Sequence, residues 1–445
     1  MYDVVIIGAG VSAIFMAHKL TELHPDYKIV MIDKGKKLHE RSCKGDGCGC
    51  EVCDQYIGFA GLGKSEGKFN YTNDFGGNLG LKVGSEQAMK LMEQVDELIC
   101  TYGGNAVESY RTHNPQLAEE AEQHGLKVLT TTVRHLGTKR STEVFQNIYD
   151  YLKSKIDFVF EADVIEVTKH NEFFIKTSRG TFHSDKVVFG TGSSGSEWML
   201  EKGETLGLKP GPSRVDLGIR VEMRGDQLQH ILKETFETKL YVKGSTYEAT
   251  TYCMNPNGRI IRKFQHGLVM ADGQNQREKG LSNNLNFTLF VPSFFKSKHE
   301  ADEFAKRIIG GINRGRDRIV VQRLEDLHNS VETDDQKLMR NRIKPTLSAE
   351  PGILNEEVPS KYVTAIQEFL RSLESLLGET IDPDTLLYGM DGKFYEPKIK
   401  TNRWFQTEVD GLYLIGDCSG ETHSLSQAAA SGLYTAEHIS KTGQN

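Results

Sequence analysis

The first 33 residues constrain this chain more than any other stretch. "YDVVIIGAGVSAIFMAHKLTEL" reads as a buried strand, a glycine turn and an amphipathic helix, and "KIVMID" reads as the next strand. Gly8 permits the tight turn, and Gly10 lets the backbone come close to a pyrophosphate. Ala13 takes the third small position, where helix meets strand, with Ser12 beside it. The second strand ends in Asp33, followed by Lys34. A carboxylate there accepts hydrogen bonds from an adenosine ribose 2′-hydroxyl and repels a 2′-phosphate. A glycine-rich turn alone also suits a strand–helix corner that binds nothing. Strand, helix, strand and acid in register point instead to a bound dinucleotide.

The far end of the chain narrows the dinucleotide. "VDGLYLIGDCSGETHSLSQAAASGLYTAEHI" has a short strand ending at Gly416-Asp417, a polar loop and a small-residue helix. This resembles the C-terminal FAD motif of the two-dinucleotide-binding-domain flavoproteins. The resemblance implies that Asp417 holds the ribityl chain. It also implies that the helix starting near Ser424 and Leu425 aims its N-terminus at the flavin pyrimidine ring. Free N–H groups and a partial positive charge there stabilise an anionic reduced flavin. A helix packing through its alanines is the plainer reading and is compatible with this one.

Between the ends, "FVFEADVIEVTKHNEFFIKTSRGTFHSDKVVFGTGSSG" alternates as short strands and closes in a glycine turn. Gly190, Gly192 and Gly195 have the spacing of a second dinucleotide fingerprint. The segment before them is a β-meander, however, and no acid-ended strand follows. An internal turn of a flavoprotein fits better than a separate nicotinamide fold. In that family pattern the Val164 backbone meets the adenine. "SEQAMKLMEQVDELICTYG" places Ala88, Leu91, Met92, Val95, Leu98 and Ile99 at helical spacing, as core packing requires. From Pro212 the character changes. "VDLGIRVEM" and "LNFTLFVPSFF" read as strands, "HEADEFAKRIIGGINRG" and "KYVTAIQEFLRSLESLLGE" as helices. The expected fold is therefore α/β. A discontinuous Rossmann-like FAD-binding domain with a β-meander (1–211 and 385–445) carries an inserted α+β substrate or cap domain (212–384). Such an insertion would cover the isoalloxazine and leave a cleft for a substrate.

Most of the chain resembles a group of bacterial and archaeal FAD-dependent dehydrogenases with their own C-terminal domain. The resemblance rests on "GFAGLGKSEGKFNY", "HLGTKRS", "VDLGIRVE", "TYCMNPNGRI" and "GDCSGETHSLSQAAASG". It implies a non-covalently bound FAD and hydride transfer at flavin N5. The chain departs from that pattern where Phe59, Ala60 and Leu62 interrupt the glycine run, Glu66 stands for Asp and Asn257 replaces a glycine. The glycines at 58, 61, 63 and 67 let the backbone run close to a flat ring. Gly61 and Gly63 are thus cofactor candidates, and Lys64 and Lys68 can serve anionic groups. A surface loop is the alternative.

Four of the seven cysteines, Cys43, Cys48, Cys50 and Cys53, fall in "CKGDGCGCEVC". Three chemistries suit them: a structural zinc or iron–sulfur site, a redox disulfide, or reduced structural thiols. Cys43 and Cys48 have the spacing of disulfide reductases, but a second nucleotide domain and a C-terminal His-Pro base are missing. A thiol/disulfide oxidoreductase is therefore the weaker alternative.

A formal charge of −7 argues against a nucleic-acid partner. No apolar run reaches a membrane span, and the N-terminus has no basic region or cleavage site, so a cytoplasmic location is expected. For proton traffic Cys253 and His423 are the first candidates, with Tyr252 and His266 behind them. Each also has a bland reading as a core or surface residue. The function expected is an FAD-dependent oxidoreductase acting on a small organic molecule, with NAD(P)H as a possible transient electron donor. A non-enzymatic FAD-binding redox sensor or scaffold is the alternative from another class.

Overall fold

The structure is a computed structural model. It describes residues 1–42, 52–65, 67–235, 238–274 and 282–442. The chain divides into two compact units. One comprises 1–111, 131–211 and 396–445; the other comprises 112–130 and 212–395. Against the expected boundaries, residues 112–130 and 385–395 belong with the second unit.

The first unit is built on a five-stranded parallel sheet. Its order is Leu412–Leu414, Val187–Phe189, Val4–Ile7, Ile29–Ile32, Asp157–Val159. The near-continuous apolar sequence of its central strands is what a parallel sheet covered on both faces requires. The two faces alternate residue by residue. Val4 and Ile6 pack against the helices Val11–Leu23 and Leu425–Thr442. Val5 and Ile7 pack against an antiparallel three-stranded sheet, Val164–Lys169, Phe173–Thr177 and Gly180–Ser184, through Val167, Phe173 and Ile175. The helix Ser85–Thr101 buries the apolar stripe expected of it, Ala88, Leu91, Met92, Val95 and Ile99.

The second unit centres on an eight-stranded, largely antiparallel sheet. Its order is Glu350–Pro351, Val320–Arg323, Leu386–Phe394, Ser213–Arg224, Asn284–Phe295, Glu248–Pro256, Lys239–Lys243, Leu126–Leu129. The last strand is what draws residues 112–130 into this unit, through pairs such as Leu240 with Val128. Along Ser213–Arg224 the odd positions from Val215 to Met223 enter an apolar core shared with the helix Ser360–Leu377. Asp216, Arg220 and Glu222 face the opposite side of the sheet and are also buried. Among the described residues, no helix is long and apolar enough to cross a membrane.

Candidate functional site

A cleft of about 1130 Å³, part of it open to solvent, lies at the carboxyl ends of the first unit's parallel strands. Six stretches line it, drawn from residues 7–12, 32–34, 56–62, 162–164, 190–198 and 417–428.

The strand Val4–Ile7 is followed by Gly8, whose φ of +101° suits glycine. A Cβ there would also meet Gly190 O at 2.5 Å. Gly10 differs: its φ is −77°, and a Cβ would meet only Gly190 O, at 3.7 Å. The protein itself does not require glycine at position 10. The helix that follows has no side-chain cap, and Gly10, Val11 and Ser12 line the cleft at its N-terminus. Its first N–H groups have no partner within the helix.

Asp33 closes the turn from the next strand. Ala9 N donates to its Oδ2 and Gly35 N to its Oδ1, both at 2.7 Å. Each oxygen keeps a further lone pair. Burial pushes this carboxyl above its ordinary pKa, against the pull of the two amides and of Arg41 and Lys34. The buried Arg41 then shapes the wall formed by residues 56–62. Its guanidinium donates to the carbonyls of Asp54 (3.1 Å), Gln55 (3.0 Å), Phe59 (2.5 Å) and Gly61 (3.0 Å). Ala60 N completes the wall by donating to Ala9 O at 2.8 Å.

The remaining walls come from farther along the chain. Ala162 N donates to Asp33 O at 3.1 Å, and Trp198 Nε1 donates to Val164 O at 3.0 Å. Thr191, Gly192, Ser193 and Ser194 form the turn after the Val187–Phe189 strand. Gly192 has φ +60°, and a Cβ there would meet nothing within 4 Å. Gly416, at φ +70°, donates its N–H to Ser431 Oγ at 2.9 Å; a Cβ there would meet Ser12 Oγ at 2.5 Å. Asp417 Oδ1 accepts from Thr422 Oγ1 at 2.9 Å. Ser424 Oγ accepts from Gln427 N at 3.3 Å, and Ser424 and Leu425 line the cleft at the start of the C-terminal helix. The fully buried Gln427 side chain ties that helix to the loop before Leu79. Its amide donates to Thr72 O and Phe75 O at 3.1 Å and accepts from Leu79 N at 3.2 Å.

Of the residues expected at the site, Gly8, Gly10, Ser12, Asp33, Lys34, Gly61, Val164, Gly192, Asp417, Ser424 and Leu425 line this one cleft. Ala13 and Gly416 are buried next to it. Gly63, Lys64 and His423 are not among the described residues that line it. A Cβ at Gly63 would meet Val11 at 2.6 Å and the Phe145 ring at 2.8 Å, so that glycine serves packing. Lys64 Nζ donates to Arg41 O at 2.5 Å, and His423 N donates to Gly76 O at 2.9 Å. Cys253 lies on the Glu248–Pro256 strand of the second unit; its side chain is outside the described set. Tyr252, on the same strand, has Lys239 Nζ over its ring at 4.4 Å; His266, in the turn after the strand Arg259–Gln265, meets the Phe394 ring at 4.6 Å. Cys43, Cys48 and Cys50 lie outside the described residues, and Cys53 is a free thiol. Among the described residues no group of three or more His, Cys, Asp or Glu is placed to hold a metal ion. Sequence reasoning missed Arg41, Thr191, Trp198 and Gln427. Only the glycine turn at 190–195 hinted at Thr191.

No protein-family model matches the chain, and no curated protein matches it in sequence. Solved structures do. The glycine oxidase from Geobacillus kaustophilus is 11% identical over 99% of this chain and 95% of its own, with a TM-score of 0.38. The Sdh1 complex of Mycobacterium smegmatis is 17% identical over 99% and 68%, at 0.42. A halogenase, PltM, in complex with FAD is 10% identical over 100% and 70%, at 0.40. Likenesses this distant carry no argument about chemistry, which has to come from the cleft itself.

Proposed function

We propose that the cleft of the first unit binds FAD and that the protein is an FAD-dependent oxidoreductase acting on a small organic molecule. The observation that carries this reading is the convergence of the Gly8–Gly10 turn, Asp33, Val164, Gly192, Asp417 and the start of the C-terminal helix on one cleft. The residues fit such a group. A side chain at Gly192 would project into open space, and one at Gly10 would nearly do so.

In this reading the amides at the start of the first helix take the pyrophosphate. Asp33 accepts the adenosine ribose hydroxyls on the lone pairs its two amide donors leave. The Val164 backbone meets the adenine. Asp417, steadied by Thr422, accepts the ribityl hydroxyls. The start of the C-terminal helix presents its positive end to the flavin pyrimidine and favours negative charge there. Bound FAD supplies hydride and electron transfer at N5. The chain supplies orientation and proton movement, for which His423 and Cys253 remain the proposed donors. Substrate recognition is assigned to the second unit, NAD(P)H is a proposed transient donor, and the Cys43–Cys53 cluster is a proposed metal or redox site.

An anaerobic spectrum of the purified protein tests the oxidoreductase part. The flavin bands should bleach with NADH, NADPH or dithionite, and should bleach and recover repeatedly as an organic donor or acceptor is consumed. A flavin that bleaches with dithionite but never cycles with any organic substrate would favour a redox sensor or scaffold.

A further inference from the structure

We infer that Trp198 is a positioning residue for the adenine of the bound dinucleotide, its indole forming the wall against which that base packs. This rests on the FAD reading above and adds to it a residue that no dinucleotide motif contains. Trp198 sits in the first turn of the helix Ser196–Thr205, directly after the glycine turn. It is half-buried: its ring meets that of Phe189 at 5.2 Å between centroids and an angle of 63°, and the residue lines the cleft.

Its place along the cleft is set by two hydrogen bonds. The indole N–H holds Val164 O at 3.0 Å, and Ala162, two residues earlier, holds Asp33 O through its N–H at 3.1 Å. Trp198 is therefore tied to the Asp33 end, where the adenosine belongs. A large flat ring at that end offers a purine a stacking surface, and Tyr or Phe at position 198 would lack the N–H that pins the Val164 carbonyl. The same indole thus provides the wall and fixes the strand beside it.

The test uses the full chain stripped of cofactor, with FAD followed by its fluorescence and ADP by its displacement of FAD. Trp198→Ala should weaken FAD and ADP by the same factor, about tenfold, and Trp198→Phe, which keeps a ring but loses the N–H, should recover part of that loss. Equal affinities in Trp198→Ala and the native chain, or a loss for FAD that ADP does not share, would overturn the inference. Should Trp198→Ala not fold, Trp404→Phe leaves Trp198 as the sole tryptophan of the two in the chain. Its emission should then shift on adding ADP, and an emission that stays constant through saturation would overturn the inference equally. A native chain that takes up no FAD at all would instead refute the FAD reading on which the inference stands.

Discussion

The cleft of the first unit is lined by glycine turns at 8–10 and 190–195 and, among the described residues, by four charged ones, Asp33, Lys34, Asp163 and Asp417. The second unit instead buries whole charged side chains in its sheet. There Arg220, fully buried, donates to Thr288 Oγ1 at 2.9 Å and to Asn286 Oδ1, and lies 3.8 Å from Asp391. Thr288 passes a hydrogen bond on to Asp391 at 2.8 Å, and Lys263 reaches Asp391 at 3.1 Å and Asp272 at 3.3 Å. Beside them Glu222 accepts from Tyr388 Oη at 2.7 Å, Asn284 at 2.9 Å and Thr346 at 2.6 Å. Polarity made from backbone leaves room for a ligand, with the Asp33 carboxyl held between two amides beside it. Polarity made from side chains is spent on itself, Arg220 and Lys263 answering Asp391 and Asp272, and Glu222 taking neutral donors. The first arrangement is suited to binding, the second to holding a sheet together.

The contrast breaks most visibly at Arg220. Arg220→Met leaves Asp391 with Lys263 as its remaining cation and takes the guanidinium donor from Thr288 and Asn286, and unfolding in urea should show a loss of about 3–5 kcal/mol. A loss under 1 kcal/mol would mean that the charges are not answering one another. The first unit has a buried polar side chain of its own, which sharpens the comparison. His18 is 3% exposed, bonds Tyr102 Oη at 2.8 Å and stacks on Tyr151. Burial, aided by Lys19 and Lys155, pulls its pKa down to about 4. The unfolded chain takes up this proton near pH 6.5 and the folded chain only near 4. The stability His18 contributes is thus complete above about pH 6.5 and lost as pH falls toward 4, by about 3 kcal/mol. In His18→Gln that part of the pH slope should vanish, as urea unfolding at several pH values would reveal.

Two glycines then separate folding from binding. Gly8→Ala forces φ +101° on a residue with a Cβ and drives that Cβ into Gly190 O, so stability should fall by about 1–3 kcal/mol and FAD affinity with it. Gly10→Ala meets neither obstacle. Its stability should stay within about 0.5 kcal/mol of the native chain while FAD affinity drops at least about tenfold. Parallel titrations of thermal unfolding and cofactor uptake check both. A Gly10→Ala protein with native affinity would remove the cradle from the account.

These same features explain what could be read from the sequence. Gly8 and Gly10 sit in one local turn and Asp33 ends the next strand, so their place beside one cleft could be read from spacing alone. The segments read as strands and a helix from Pro212 onward likewise match the strands Ser213–Arg224 and Asn284–Phe295 and the helix Ser360–Leu377. Arg41 and Trp198 act on carbonyls 13 to 34 positions away, and Gln427 on carbonyls 352 and 355 away. Such partners exist only once the chain has folded. The strand Leu126–Leu129 was hidden for a related reason, since it lies outside the inserted stretch and pairs with Lys239–Lys243 across more than a hundred residues. Gly63 looks identical to Gly61 in sequence, and only packing against Val11 and Phe145 sets it apart.

Whether the cleft is a FAD site is decided by the identity of the cofactor that the protein carries. The protein should be purified, denatured to release its cofactor, and the cofactor chromatographed and quantified against protein. FAD should appear at close to one per chain and fall steeply in Gly10→Ala without loss of fold. FMN, a nicotinamide dinucleotide, or a native chain that neither carries nor takes up a flavin would contradict it.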